Sequence, residues 1–197
     1  IAACPSLACS GGSDDPAPRV AGQFVGRVAS SDALIAVVTN GIDVRAYVCD
    51  GTPTEELTIA EWFRGTKSTE SVTLQSTDSD AQIAITFAQS GATGTVTLPD
   101  ARVLSFTTSV ATGDAGFWLY KDQEGEAVEA WAGWIVLPTG EMRGSQVVPT
   151  RTSIDVTFST LSGTGSLPTI GTVTPAKLTT SNTAQGFQGC IGCLNCC

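Results

Sequence analysis

Seven cysteines are the side chains in this chain best equipped for chemistry, and they are spread unevenly. Cys4 and Cys9 fall in residues 1–18, Cys49 stands in an apolar stretch, and Cys190, Cys193, Cys196 and Cys197 crowd into CIGCLNCC. The C-x-x-C-x-x-C run resembles the start of an iron–sulfur motif, whose fourth thiolate follows after three residues and precedes a Pro. Here Cys197 directly follows Cys196, which spoils that geometry. A four-thiolate zinc site meets the same objection, and either site would need Cys4, Cys9 or Cys49 to complete it. Disulfides fit better. Adjacent residues hold their Cα atoms about 3.8 Å apart, below the ~4.4 Å that an unstrained bridge requires. Cys196 and Cys197 must therefore take different partners. Because seven is odd, at least one thiol is free or bonded to another molecule, and Cys49, on an expected strand, is the candidate free thiol. Two arrangements of the six others stay open. Bridges between copies, with the arm of one meeting the tail of the next, generate open filaments when the rotation does not close. The alternative is a staple within one chain. The first is preferred.

Other chemistry is sparse. The sequence has no His, which removes Ser–His–Asp and Cys–His nucleophile activation, imidazole ligation and the usual proton shuttle near neutrality. No G-x-S-x-G, S-x-x-K or P-loop spacing occurs. A protein without enzymatic activity and without a cofactor is expected. Glu61 in EWFRG and Glu129 near Trp131 and Trp134 are acids beside aromatics, the raw material of a glycosidase pair. The plainer reading is preferred: Trp62, Trp118, Trp131 and Trp134 cap or fill a barrel, and the acids face water. Asp122, Glu124 and Glu126 around Gly125 offer oxygens to a hard cation such as Ca²⁺ but lack the other ligands of a full loop. An acidic hairpin turn explains them as well.

A net charge of −9, from 10 basic and 19 acidic residues, excludes the basic stripe that nucleic-acid binding requires. It also opposes attachment to an anionic membrane surface. The apolar run at 130–137 is broken by Gly133 and falls short of the ~20 residues of a transmembrane helix. Charged residues make up 15% of the chain, against the usual ~25%. Thr takes up much of the difference. Its β-branch suits a half-exposed pleated surface, so the composition points to an all-β fold. Cysteine in such a setting implies an oxidising compartment, extracellular or at the cell surface. Ile1 reads as a processed end, and Ile-Ala-Ala-Cys resembles a lipobox that would place a lipid on Cys4. Simple secretion is preferred.

Four segments follow. Residues 1–18 form a cysteine-bearing arm, 19–148 a β-domain, 149–189 a Thr/Ser/Gly-rich extension with one or more strands, and 190–197 the cysteine cluster. Within 19–148, strand signals recur at about 8–12-residue spacing. They fall at 20–29, 33–39, 44–49, 57–63, 71–74, 81–87, 94–98, 102–106, 116–120, 128–137 and 142–148, with a short helix as the alternative near 55–63. Asn40-Gly41 between two apolar runs signals a hairpin. Connections this short make an antiparallel meander, which closes into a barrel or, alternatively, folds as a sandwich. A chain of this size buries roughly 70% of its extended surface and needs no disulfides merely to fold. Ala36, Ala46 and Ala84 are expected to face inward, compatible with a filled barrel or with one holding a small apolar ligand. The composition of 163–188 reads as disorder unless the segment docks on its own barrel or on a neighbour.

The stretches ALIAVVTNG, AYVCDG, EWFRG, GTVTLPD, GDAGFWLY and GWIVLPTG-EMRG, spread over about two thirds of the chain, resemble a domain of uncharacterised role that recurs in exported bacterial proteins, many of them actinobacterial. The resemblance implies a β-rich, secreted module with no known activity, and it covers neither cysteine segment. The sequence is therefore read as a secreted β-barrel subunit of a disulfide-linked surface polymer whose partners are copies of itself. The alternatives are a monomeric binding module, for a small ligand or carbohydrate, and a thiolate metal protein.

Overall fold

The computed structural model describes residues 19–52, 56–121, 131–147, 157–159, 163–167 and 171–183, and all regular elements among them are β-strands. The first eight are β1 (Gly22–Val28), β2 (Leu34–Thr39), β3 (Asp43–Cys49), β4 (Ala60–Thr66), β5 (Ser71–Gln75), β6 (Gln82–Ala88), β7 (Gly91–Thr97) and β8 (Val103–Val110). They form one antiparallel sheet in the order β4-β3-β2-β1-β8-β7-β6-β5. β8 returns to β1, with Gly26 opposite Thr108. The outer strands β4 and β5 meet through a bridge between Phe63 and Ser76, beside which the Thr77 N–H donates to the Trp62 carbonyl at 2.9 Å. The result is a nearly closed up-and-down barrel with one lightly laced seam.

Alternation decides what points inward. On β6, Ile83, Ile85 and Phe87 are buried while Gln82, Thr86 and Ala88 are exposed. Phe24, Phe63, Phe87 and Phe106 occupy the barrel core with Ile35, Val37, Val44 and Val96, so large side chains fill the interior. Of the three alanines expected inside, Ala46 is there. Ala36 lies on the outer wall under a second sheet, and Ala84 is half-buried on the outside of β6. Both sit one residue out of phase with the inward positions.

β2 breaks the alternation, because all of LIAVVT is buried. A continuous apolar run of this length marks a strand covered on both faces. Ile35 and Val37 face the barrel core, while Leu34, Ala36 and Val38 face outward. The cover is a second antiparallel sheet of β9 (Gly116–Lys121), β10 (Trp131–Val136), β11 (Met142–Val147) and β15 (Ala176–Lys177), ordered β11-β10-β9-β15. Its far face is covered in turn by β12 (Thr157–Ser159), β13 (Thr164–Leu167) and β14 (Gly171–Val173). Leu167 and Val173 there pack on Ala132, Trp134 and Val136.

Two expectations need correction. The meander closes after eight strands, because β9 and β10 are apolar on both faces and need cover on each. The four Trp lie outside the barrel core: Trp62 and Trp131 pack between barrel and second sheet, and Trp118 and Trp134 on the far side of that sheet. The strand expected at 57–63 is present as β4, not the alternative helix, and Trp62 and Phe63 go to its opposite faces. The hairpin after β2 is present, shifted by one residue. Asn40 pairs with Asp43, leaving Gly41 and Ile42 as central residues, and Gly41 takes the positive φ of +98°. Asn40 instead uses its Oδ1 to accept the N–H groups of Ile42 at 2.9 Å and Asp43 at 2.7 Å. The described part of the Thr/Ser/Gly-rich extension docks on its own body, through Leu167, Val173 and Leu178.

The contact between barrel and second sheet is close at Gly133, where an added Cβ would lie 2.3 Å from Trp62 Cη2. Gly133→Val should therefore wedge the layers apart and lower the unfolding free energy in urea by about 1–3 kcal/mol. The exposed change Ser109→Thr should stay within about 0.5 kcal/mol of the parent. An unchanged urea midpoint for Gly133→Val would contradict the packing.

Candidate functional site

Among the described residues Cys49 is the one cysteine; it is free and fully buried. Odd positions on β3 point away from the barrel, which sends Tyr47 and Cys49 together into the layer beneath the second sheet. Tyr47 stacks on Trp62 with centroids 3.9 Å apart and on Phe117 at 5.4 Å. Its hydroxyl pairs with the Ser145 hydroxyl at 2.7 Å, and the Cys49 sulfur accepts the Gly51 N–H at 3.3 Å. Burial pushes the Cys49 thiol up to about 11, against partial relief from hydrogen bonds with Tyr47, Gly51 and Ser145. Burial likewise raises Tyr47 well above the ordinary phenol range. A thiol that remains protonated and has no access to solvent is a poor nucleophile and a poor metal ligand. The cluster locks two layers together. It is not built to react.

Two acids are also buried or tied down. Glu61 is on the inward face of β4, opposite Val48, so its neighbour Trp62 projects to the other side of the strand. Its Oε2 accepts the hydroxyls of Ser76 at 2.8 Å and Ser79 at 2.6 Å. The acid and the aromatic that looked like a sugar platform are thus separated by the strand itself. At Lys67 the side chain is fully buried, its Nζ 4.9 Å from the centre of the Phe87 ring and 3.0 Å from Glu70 Oε2. Glu70 Oε1 accepts the Val20 N–H at 3.0 Å, which fixes the entry of the chain into β1. Slight desolvation pulls the Glu70 carboxyl upward, but the Lys67 ammonium, the Val20 N–H and the charge of Arg19 hold it below its ordinary range.

Cys4, Cys9, Cys190, Cys193, Cys196 and Cys197 lie outside the described residues, as do Asp122, Glu124, Glu126 and Glu129. Among the described residues no group of three or more Cys, Asp or Glu converges as a metal site. No helix there is long and apolar enough to cross a membrane. Comparison with protein-family models, with curated proteins and with solved structures finds no match to this chain.

Sequence reasoning missed the Tyr47–Ser145 pair and the Lys67–Glu70 contact. The first joins residues from two sheets, and no local pattern announces it. The second had a faint signal in the i,i+3 spacing of opposite charges between two strands.

The raised thiol has a measurable consequence. A folded pKa above the unfolded one gives stability that is complete below the unfolded value and is lost as pH rises through the folded value. Stability should therefore fall as pH climbs from about 9 through about 11. Cys49→Ala should flatten part of that decline, by up to about 3 kcal/mol, in urea titrations across the range. In the reduced native protein at pH 8, Cys49 should resist iodoacetamide and become alkylated only in denaturant. Rapid native alkylation of Cys49 would contradict its seclusion.

Proposed function

We propose that this protein is a non-enzymatic structural subunit, extracellular or at the cell surface, that bonds covalently to copies of itself through cysteines in 1–18 and 190–197. The observation that carries the reading is the isolation of Cys49. Among the described residues the only sulfur of a cysteine is unbridged, and three apolar layers pack on one another around it. We infer that the six remaining cysteines serve a task other than holding that body together. The filled barrel core also weighs against the rival reading of a monomeric module that holds a small apolar ligand inside the barrel.

A second reading has an observation of its own. Gln23, at the start of β1, and Lys177, near the last described residues, both approach Gly116: an added Cβ there would lie 3.4 Å from Gln23 Oε1 and 3.3 Å from Lys177 Nζ. Early and late parts of the described chain thus come together at Gly116, an arrangement that also suits a staple within one chain.

One experiment separates the two. The full chain, oxidised and alkylated, should give a ladder of multimers on a non-reducing gel that collapses to monomer with reductant. Cys4→Ser together with Cys9→Ser should shorten that ladder. Monomer under both conditions, with Cys49 as the sole thiol alkylated after denaturation, would establish the internal staple and overturn the polymer.

A further inference from the structure

The second sheet covers the outer face of β1 to β4 and, among the described residues, leaves that of β5 to β8 open. No Lys, Arg, Asp or Glu occurs in these four strands, although the chain carries 10 basic and 19 acidic residues. Their outward positions carry hydroxyls instead, and the antiparallel register sets them in rows. Ser71 stands opposite Thr86; in the next row Ala84 lies between Thr73 and Thr95. Neighbours within a row are about 4.8 Å apart, and successive rows about 6.6 Å apart along the strands.

Ala84 makes this face uneven. Its methyl is short beside the Thr side chains that flank it, and an open trough of about 290 Å³ lies there. That volume is close to the smallest pockets that take small organic ligands. Ser71, Thr73, Thr86 and Thr95 border the trough, and Ser71 Oγ lies 3.2 Å from Thr86 Oγ1. Each hydroxyl has one proton and two lone pairs, so each can both donate and accept. The rim is polar and uncharged, and the floor is a methyl group. Such a surface offers no partner to an ion, and the net charge of −9 repels polyanions. An apolar partner gains little either, because the exposed Val103 and Val110 stand at opposite ends of β8. A neutral sugar matches both parts, with hydroxyls around its ring and a face of C–H groups.

We propose that this trough binds a neutral sugar unit, with a C–H face of the ring on the Ala84 methyl and ring hydroxyls bonded to Ser71, Thr73, Thr86 and Thr95. No aromatic ring borders the trough, so the contact rests on hydroxyl bonds and its Kd is on the order of 10 mM. The site is independent of the cross-linking reading, and either can fail alone.

The test follows the backbone amide NMR signals of the reduced, isotope-labelled full chain during titration to about 100 mM sugar, roughly tenfold the expected Kd. The probes are methyl glucoside, methyl mannoside, methyl galactoside and N-acetylglucosamine, with glycerol as the acyclic control. At least one sugar should shift amides of β5, β6 and β7 along saturating curves, and glycerol should not. Thr95→Val keeps the side-chain shape and removes one hydroxyl, so it should weaken binding about threefold or more. Ala84→Leu fills the trough and should abolish the response, its dispersed amide signals showing that it has folded. Should Ala84→Leu fail to fold, Thr95→Val decides alone. No saturable shift from any of the four sugars, equal shifts from glycerol, unchanged binding in Thr95→Val, or a full response in folded Ala84→Leu would each overturn the proposal.

Discussion

Tyr47, Trp62 and Phe117 stack between the barrel wall and the second sheet, and the rest of the structure depends on that contact. Each aromatic ring carries about 150–250 Å² of surface out of water, and their joint burial is worth several kcal/mol. Were the second sheet lifted off, Leu34, Ala36, Val38 and Tyr47 would form an apolar patch of a size that soluble proteins rarely expose. The same separation would strip cover from Ile135 and Leu137 on the other side. Neither layer stands alone. The barrel, the second sheet and the small third sheet therefore constitute one cooperative unit, built from side-chain packing along the whole interface.

That interface also occupies several of the body's buried polar groups. Its polar groups are spent on joining layers: Tyr47 with Ser145, and Gly144 N–H with the Gly51 carbonyl at 3.1 Å. Glu61 is held by two serine hydroxyls, and the buried Lys67 is neutralised by Glu70. Cys49 sits in the middle of this arrangement, protonated and sealed. The sequence has no His, and among the described residues Glu61, Lys67 and Cys49 are all occupied in structure. Reactivity in the proposed account belongs to the segments that flank the body.

The sequence disclosed the fold class more readily than the layering. Period-two alternation in Ile83, Ile85 and Phe87 marks a strand because a pleated backbone sends every second side chain to one face. Short connections impose antiparallel neighbours, and that much leads to a barrel. The unbroken run in β2 held the further information that both faces are covered. Read alone, it does not say by what, since the covering residues lie far along the chain in β9 and β10. For the same reason the Trp residues looked like barrel filler. An indole is apolar wherever it is buried, and only the partner tells one layer from another. Thr73, Ala84 and Thr95 offered no local signal either, because a cross-strand row exists only once the register is set. Cys49 was legible as a strand residue in an apolar context, which is why its seclusion was foreseeable and its tie to Ser145 was not.

The account rests on a body that holds itself together without sulfur bonds, and a variant with Cys4, Cys9, Cys190, Cys193, Cys196 and Cys197 all changed to Ser puts that to the sharpest test. Urea unfolding of this variant, followed by Trp fluorescence and far-UV circular dichroism, should give one coincident transition within about 1 kcal/mol of the oxidised parent. A variant that is unfolded without urea, or weaker by the ~2–5 kcal/mol typical of a lost structural disulfide, would show the flanking sulfur to be a staple and contradict the account.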